Sequence, residues 1–395
     1  MESRVSARRL AVLLGPRGVG VPAYSWLADG IRQLVADGRL LHGTRLPSER
    51  ELLGQLGVSR TTVTRAYGVL RERGYASAVR GSGTVVQVPG GPVAGGGEPL
   101  ELASLQPTAD GVVDLTCAAP AATPGLNRAY EWAVERMPSF ISGAGYFPLG
   151  VPELREAVAQ RYVDRGVPTD PDQIIVTTGA LAGLAAVFRA VLHRADPAIV
   201  ESPAYPNSVR ALDHSGARVV AAPLVADDLD GVAGVIRRAG ARMMLAMPDF
   251  HNPTGAVWSD EQRARVAAMW RAGGVTGVVD ETMADTWLDR PIDARPMAAH
   301  APGCITVGSA AKTFWAGLRI GWVRAPHALV GAIARARLSM DLGAPVLEQL
   351  AVGHLLRTQG ALSEESRRRL ADSRGCCSRW ATGARAGRSR CPRAG

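Results

Sequence analysis

The chain has 395 residues, 47% hydrophobic and 21% charged, a composition ordinary for a globular protein with room for two or three domains and a large core. No run of about 18 or more apolar residues occurs, and the first twenty carry Arg4, Arg8, Arg9 and Arg17 around only the stretch LAVLL, which argues against a membrane span or a signal peptide. The five cysteines, odd in number and without His partners at metal-ligand spacing, predict no metal site and a cytoplasmic location.

The net charge of +9 is uneven. Residues 1–90 hold 13 arginines against six acids, residues 374–395 hold six arginines and no acid, and the stretch between is net acidic. A basic first domain on an acidic body suggests that the first domain meets a polyanion. Between Tyr24 and Leu40, Trp26, Leu27, Ile31, Leu34 and Val35 recur at helical spacing. In LPSERELLGQLG, Ser48 and Glu51 predict a capping box that opens a second helix, and Gly57 ends it. Ser59 then caps a third helix, with Val63, Tyr67 and Leu70 on one face and Arg60, Thr61, Thr64 and Arg65 on the other. Two short helices joined by a tight turn, the second with an apolar back and a front of hydroxyls and arginines, suit insertion into a major groove. Tyr75–Val79 and Thr84–Val88 predict two strands around the turn RGSG.

The stretch RLPSERELLGQLGVSRTTVTRAYGVLRERGYASAVRGSGTVV resembles the winged helix-turn-helix of GntR-type bacterial regulators over its whole length. The resemblance implies a reader domain over 20–88 in which Arg50, Ser59, Arg60, Thr61, Thr62, Thr64, Arg65, Arg80 and Gly81 face double-stranded DNA. Arg can fork onto a guanine edge, and Thr can reach phosphate or base. For Ser59 and Thr62, helix capping is an equal alternative. Gly68 stands where a stronger helix former is expected.

Residues 89–112, dense in Pro and Gly at their start, read as a flexible linker. Beyond them, to 373, IIVT (174–177), AIVE (198–201), RMMLAM (242–247), GVVD (277–280) and CITVG (304–308) alternate with helical stretches. This pattern predicts an α/β body with a mainly parallel sheet and helices on both faces, with ligands at the carboxyl ends of the strands. The residues at those ends form a set. Gly179 permits a tight turn into a helix whose free N–H groups can hold a phosphate; Tyr205 offers a flat lid for an aromatic ring; Asn252 is a donor, or simply part of a turn. Asp280 is a carboxylate able to keep a pyridine nitrogen protonated, or a helix cap.

Lys312 is the one lysine in the chain, so the other 44 cations are arginines. A primary amine condenses with an aldehyde to a Schiff base, whereas a guanidinium does not, which points to pyridoxal phosphate at this site. Ser309 and Arg319 flank it and suit a phosphate.

In this order, YFPLGVPELREAV, TTGALAGL, ESPAYP, HNPTG, VVDET and SAAKTFWAGLRIGW resemble the motifs of fold-type I aminotransferases over about 113–373. The resemblance implies that Lys312 forms the Schiff base, Asp280 meets the pyridine nitrogen, Asn252 the ring hydroxyl and Tyr205 the ring face. Gly179, Ala180, Ser309 and Arg319 would hold the phosphate. Tyr146 would reach the phosphate of a neighbouring subunit, which implies a homodimer with shared sites. A GntR-like reader linked to an aminotransferase-like body is the layout of the MocR subfamily of regulators. Two departures stand out: Thr282 and Met283 occupy the positions where many family members carry a tyrosine, and no arginine for a substrate carboxylate is assignable. The helical pattern LSEESRRRLADSR is expected to break near Arg374 into a basic, disordered tail over 374–395, either natural or the product of an out-of-frame or premature end that leaves the small domain incomplete.

The expected function is a transcription regulator dependent on pyridoxal phosphate that senses an amine or amino-acid effector through Lys312 and binds an operator with paired half-sites, without a membrane partner. The alternative is an active aminotransferase carrying a DNA-binding domain.

Overall fold

The computed structural model describes residues 4–37, 39–79, 83–91 and 120–385, with main chain only at Cys376 and from 378 onward. They form two compact units that divide after Asn127 and again after Gly375.

The first unit contains four helices, α1 (Ala7–Leu14), α2 (Ala23–Ala36), α3 (Glu49–Leu56) and α4 (Arg60–Glu72), and the antiparallel hairpin β1 (Ala76–Val79) and β2 (Gly83–Val86). Ser48 accepts from the Glu51 N–H while the Glu51 side chain accepts from the Ser48 N–H, which completes the capping box of α3; Gly57 closes the helix in a left-handed conformation at φ 64°. Ser59 caps α4 through the Thr62 N–H. Leu27, Ile31, Leu52, Val63, Tyr67 and Leu70 are buried in one core, where each large aliphatic side chain contributes about 1.5–3 kcal/mol. The Tyr67 hydroxyl donates to the Pro47 carbonyl at 2.7 Å, which fixes α4 against the start of α3. Helix α1 lies ahead of the boundary at residue 20 that sequence reading sets for the reader. Its Leu10 is fully buried in the same core, so the unit begins earlier than the periodicity suggested.

The body carries a seven-stranded sheet. Its strands are β3 (Ile174–Thr177), β4 (Pro197–Glu201), β5 (Arg218–Ala222), β6 (Met243–Ala246), β7 (Thr276–Asp280), β8 (Ile305–Ser309) and β9 (Gly321–Arg324), in the spatial order β3-β9-β8-β7-β6-β4-β5. Strand β9 runs antiparallel to both neighbours and the other pairs are parallel. Near-continuous apolar residues leave β3, β6 and β8 fully buried, whereas the edge strand β5 is largely half-buried or exposed.

The last helix differs from expectation. It runs without a break from Glu364 to Arg385, through Arg374 and Gly375. A single glycine costs about 1 kcal/mol in a helix interior and does not stop it, and no proline intervenes before 392. Residues 386–395 lie outside the described residues, as do 92–119, which include most of the expected linker.

Candidate functional site at one edge of the sheet

The topology gathers the predicted residues. Strands β4, β6, β7 and β8 are parallel and adjacent, and β3 runs in the same sense beyond β9, so their carboxyl ends share one edge. Tyr205 follows β4, Asn252 follows β6, Asp280 ends β7, Ser309 ends β8 and Gly179 follows β3. Because β9 is reversed, Arg319 just before its start arrives at that same edge.

Gly179 has φ 92°, and a Cβ on it would fall 2.8 Å from Arg319 Nη2. Gly321, paired with both Thr177 and Ser309, approaches so closely that a Cβ there would lie 2.6 Å from the Gly179 carbonyl carbon and 2.7 Å from the Ala180 nitrogen. Only glycines permit this approach. The helix Ala180–Val191 starts here with no side-chain cap, so its first N–H groups point free of the protein's own side chains. Arg319 itself adopts a left-handed conformation at φ 48°. Ser309 Oγ accepts from the Ala311 N–H at 3.1 Å and shapes the turn that carries Lys312. Open N–H donors, an adjacent guanidinium and space where side chains are forbidden fit a phosphate group.

Asp280 is 7% exposed, and its Oδ1 accepts from the Thr282 N–H at 2.9 Å. Burial holds its carboxyl above the usual range, while the Thr282 hydrogen bonds and the Lys312 charge act in the other direction. A protonated pyridine nitrogen is the kind of partner that favours its ionised form. Lys312 is half-buried in the turn after β8. Tyr205 is half-buried, with its hydroxyl accepting from Asn207 at 2.9 Å. Asn252 is exposed, and its N–H meets Met247 Sδ at 3.3 Å. Tyr146 is 65% exposed.

In the reader unit, Arg50, Arg60, Thr61, Thr64 and Arg65 are exposed, and Arg60, Thr61, Thr64 and Arg65 line a concavity with Glu49. Glu49 lies 3.3 Å from Arg60 Nε. The Arg65 guanidinium stacks on Tyr24 at 3.8 Å from the ring centroid. Thr64 Oγ1 donates back to the Arg60 carbonyl at 3.0 Å. Ser59 Oγ lies 3.0 Å from Thr61 Oγ1 and 2.8 Å from Thr62 Oγ1, and Thr62 is half-buried, so this hydroxyl group of residues caps the helix as well as lining its front. Arg80 and Gly81 lie outside the described residues.

The comparisons with known proteins follow this division. Residues 129–377 match the family described as aminotransferase class I and II, and residues 23–86 match the gntR family of bacterial regulatory proteins. The HTH-type pyridoxine biosynthesis transcriptional regulator PdxR of Corynebacterium glutamicum is 30% identical over 359 residues, covering 87% of this chain and 74% of that protein. The probable rhizopine catabolism regulatory protein MocR of Rhizobium meliloti is 26% identical over 362 residues, 82% of this chain and 69% of that protein. The chain belongs to the MocR-type transcriptional regulators. Its aminotransferase-like domain is of a family dependent on pyridoxal phosphate, and its GntR domain implies DNA binding. Among solved structures, the α-aminoadipate aminotransferase LysN of Thermus thermophilus, complexed with N-(5'-phosphopyridoxyl)-L-leucine, is 27% identical with a TM-score of 0.54, over 64% of this chain and 65% of LysN. No helix among the described residues is long and apolar enough to cross a membrane.

Several residues of this MocR-type chain escaped sequence reading. Gly321 is one; a glycine inside the strand pattern IGWV signals a close backbone approach. Thr178 Oγ1 donates to Asp341 at 3.2 Å, and the buried Arg337 lies 2.8 Å from that same carboxylate, which ties the glycine turn to the loop after the helix His327–Leu338. Such long-range pairs leave no local pattern.

Proposed function

We propose that this regulator binds pyridoxal phosphate through Lys312 and controls DNA binding in response to an amine or amino-acid effector. The observation that carries the reading is the glycine cradle at Gly179 and Gly321 beside Arg319, on the sheet edge that also receives Asp280 and the lone lysine. The cofactor, when bound, supplies an electrophilic aldehyde and a ring that accepts electrons. The chain's own residues bind and orient. The free N–H groups from Ala180 onward, Ser309 and Arg319 hold the phosphate; Asp280 holds a proton on the ring nitrogen; Asn252 meets the ring hydroxyl and Tyr205 covers the ring face. Tyr146 serves the phosphate site of a second copy in a homodimer. The phosphopyridoxyl-leucine in LysN supports a site that takes an amino acid together with the cofactor.

An effector shifts DNA affinity only by binding two arrangements of the body unequally. A dimer presents two reader domains, so the operator carries paired half-sites. The reader contacts DNA through Arg50, Arg60, Thr61, Thr64 and Arg65, and the protein works in the cytoplasm.

The test is to add pyridoxal phosphate to the purified chain, reduce with borohydride and locate the pyridoxyl group by mass spectrometry. The expected result is a stoichiometric adduct on the Lys312 peptide, followed by operator affinity that changes when amines are added to the loaded protein. A folded sample without the adduct overturns the cofactor reading. Steady transfer of amino groups to a keto acid, unaffected by deleting the reader, would favour a working aminotransferase instead.

A further inference from the structure

Asp285 lies five residues beyond Asp280, and its carboxylate joins two separate segments. Arg161 Nη2 lies 2.7 Å away, and Thr313 Oγ1 donates to Oδ2 at 3.3 Å. Thr313 is 4% exposed and follows Lys312 directly. The side chains of Arg161 and Asp285 are 14% and 17% exposed, so little solvent competes for these contacts. Arg161 also donates to the Gly360 carbonyl at 3.4 Å, which anchors it independently of the acid. The far end of the same loop is held as well. Arg367 stacks on Trp287 at 3.4 Å from the ring centroid and donates to its carbonyl at 3.0 Å, and Arg374 reaches both oxygens of Asp289 at 2.8 and 2.6 Å.

A shielded ion pair on its own roughly breaks even against desolvation, so stability does not explain an acid at this place. Position does. The loop that Asp285 occupies begins at Asp280, and the turn that Thr313 occupies holds Lys312. The Asp285–Thr313 hydrogen bond therefore sets the backbone of the amine-bearing turn relative to the carboxylate that ends β7. Arg161 keeps the acceptor aimed.

We propose that Asp285 is a positioning residue that holds Lys312 in register with Asp280 through Thr313. The inference rests on the reading of Lys312 and Asp280 as cofactor residues, and the experiment separates the two. The full-length chain is first loaded with pyridoxal phosphate and reduced; absence of an adduct at Lys312 in the unsubstituted protein overturns that reading itself. With the adduct formed, Thr313→Val, Thr313→Ser and Asp285→Asn are compared for the rate of adduct formation, the cofactor dissociation constant and the pH midpoint of the bound chromophore, with thermal unfolding as a check on folding. Thr313→Val is expected to weaken binding and slow loading about three- to tenfold, the effect of one lost hydrogen bond. It should also move the pH midpoint, while Thr313→Ser restores all three to within about twofold. Asp285→Asn should shift the same readouts in the same direction. Thr313→Val with unaltered rate, affinity and midpoint overturns the inference, even if Asp285→Asn fails to fold. A loss that Thr313→Ser does not rescue also overturns it, because it assigns the effect to packing.

Discussion

The Arg319 guanidinium occupies the space that a side chain on Gly179 would need: a Cβ there would lie 2.8 Å from Nη2. The two residues meet at one end of the antiparallel pair β3 and β9, Gly179 in the turn after β3 and Arg319 on the approach to β9. Gly179→Ala combines this clash with a positive φ that alanine resists, a cost of about 1–3 kcal/mol. Cofactor affinity is expected to fall at least about tenfold, with Tm lowered by a few degrees. Titration of pyridoxal phosphate by absorbance and a thermal melt check both parts.

Asp280→Asn should stabilise the cofactor-free protein while weakening cofactor binding. The folded state raises the carboxyl's pKa, so its ionisation works against folding. Stability is fullest below the ordinary carboxyl range and is lost as pH rises above it. Asparagine keeps an oxygen for the Thr282 N–H and removes the buried charge. The expected gain at neutral pH is about 1–2 kcal/mol, against a loss of at least about tenfold in affinity for the pyridinium-bearing ligand. Denaturant unfolding with and without cofactor measures the opposing signs; a destabilised cofactor-free variant would contradict the argument.

Glu201, at the end of β4, is 3% exposed and is pushed up to about 7 by burial, against donation from the Val225 N–H to its Oε1 at 2.9 Å. His251 Nε2 lies 3.9 Å from it and is itself lowered by burial. Between the ordinary value of 4.5 and about 7, the folded state binds more protons at Glu201 than the unfolded state, so this residue's contribution falls as pH rises through that window and levels off above it. His251 acts oppositely below its ordinary value of 6.5. Relative to the unsubstituted protein, Glu201→Gln should therefore gain stability steadily from pH 5 to pH 7, up to roughly 3 kcal/mol. Urea midpoints across that range provide the check, and a gap that does not change with pH would refute the assignment.

In the reader, Arg60→Ala is expected to weaken operator binding by about 1–3 kcal/mol. A contact to phosphate lowers the salt slope by about one, whereas a contact to a base edge relaxes sequence preference at one position. Glu49→Gln should tighten binding several-fold, because it removes the anion 3.3 Å from Arg60 Nε while sacrificing an exposed pair of little value. Fluorescence anisotropy at several salt concentrations distinguishes these outcomes.

Gly68→Ala supplies a control with the opposite sign. A Cβ at Gly68 meets nothing within 4 Å, and the residue lies inside α4. The substitution should stabilise the reader by about 0.5–1 kcal/mol and leave operator affinity unchanged. A melt of the full chain and the same anisotropy titration test it.

Local chemistry was legible without coordinates. Ser48, Glu51, Gly57 and Ser59 announce their helix ends because capping is decided within three or four residues, and IIVT, GVVD and CITVG announce strands because strands buried on both faces are largely apolar. The lone Lys312 and the order of motifs around it pointed to the cofactor class. Helix α1 and the continuation of the last helix through Arg374 were missed, since one is fixed by packing of Leu10 and the other contains a glycine that reads as a stop. Tertiary structure alone decided what depends on strand order and on contacts across more than a hundred residues. The reversal of β9 delivers Arg319 to Gly179, Gly321 presses against Ala180, and Arg161 reaches Asp285. Residue type specifies what a side chain can do; which partner it meets is set by the sheet, whose hydrogen bonds and buried faces join distant segments that no local spacing connects.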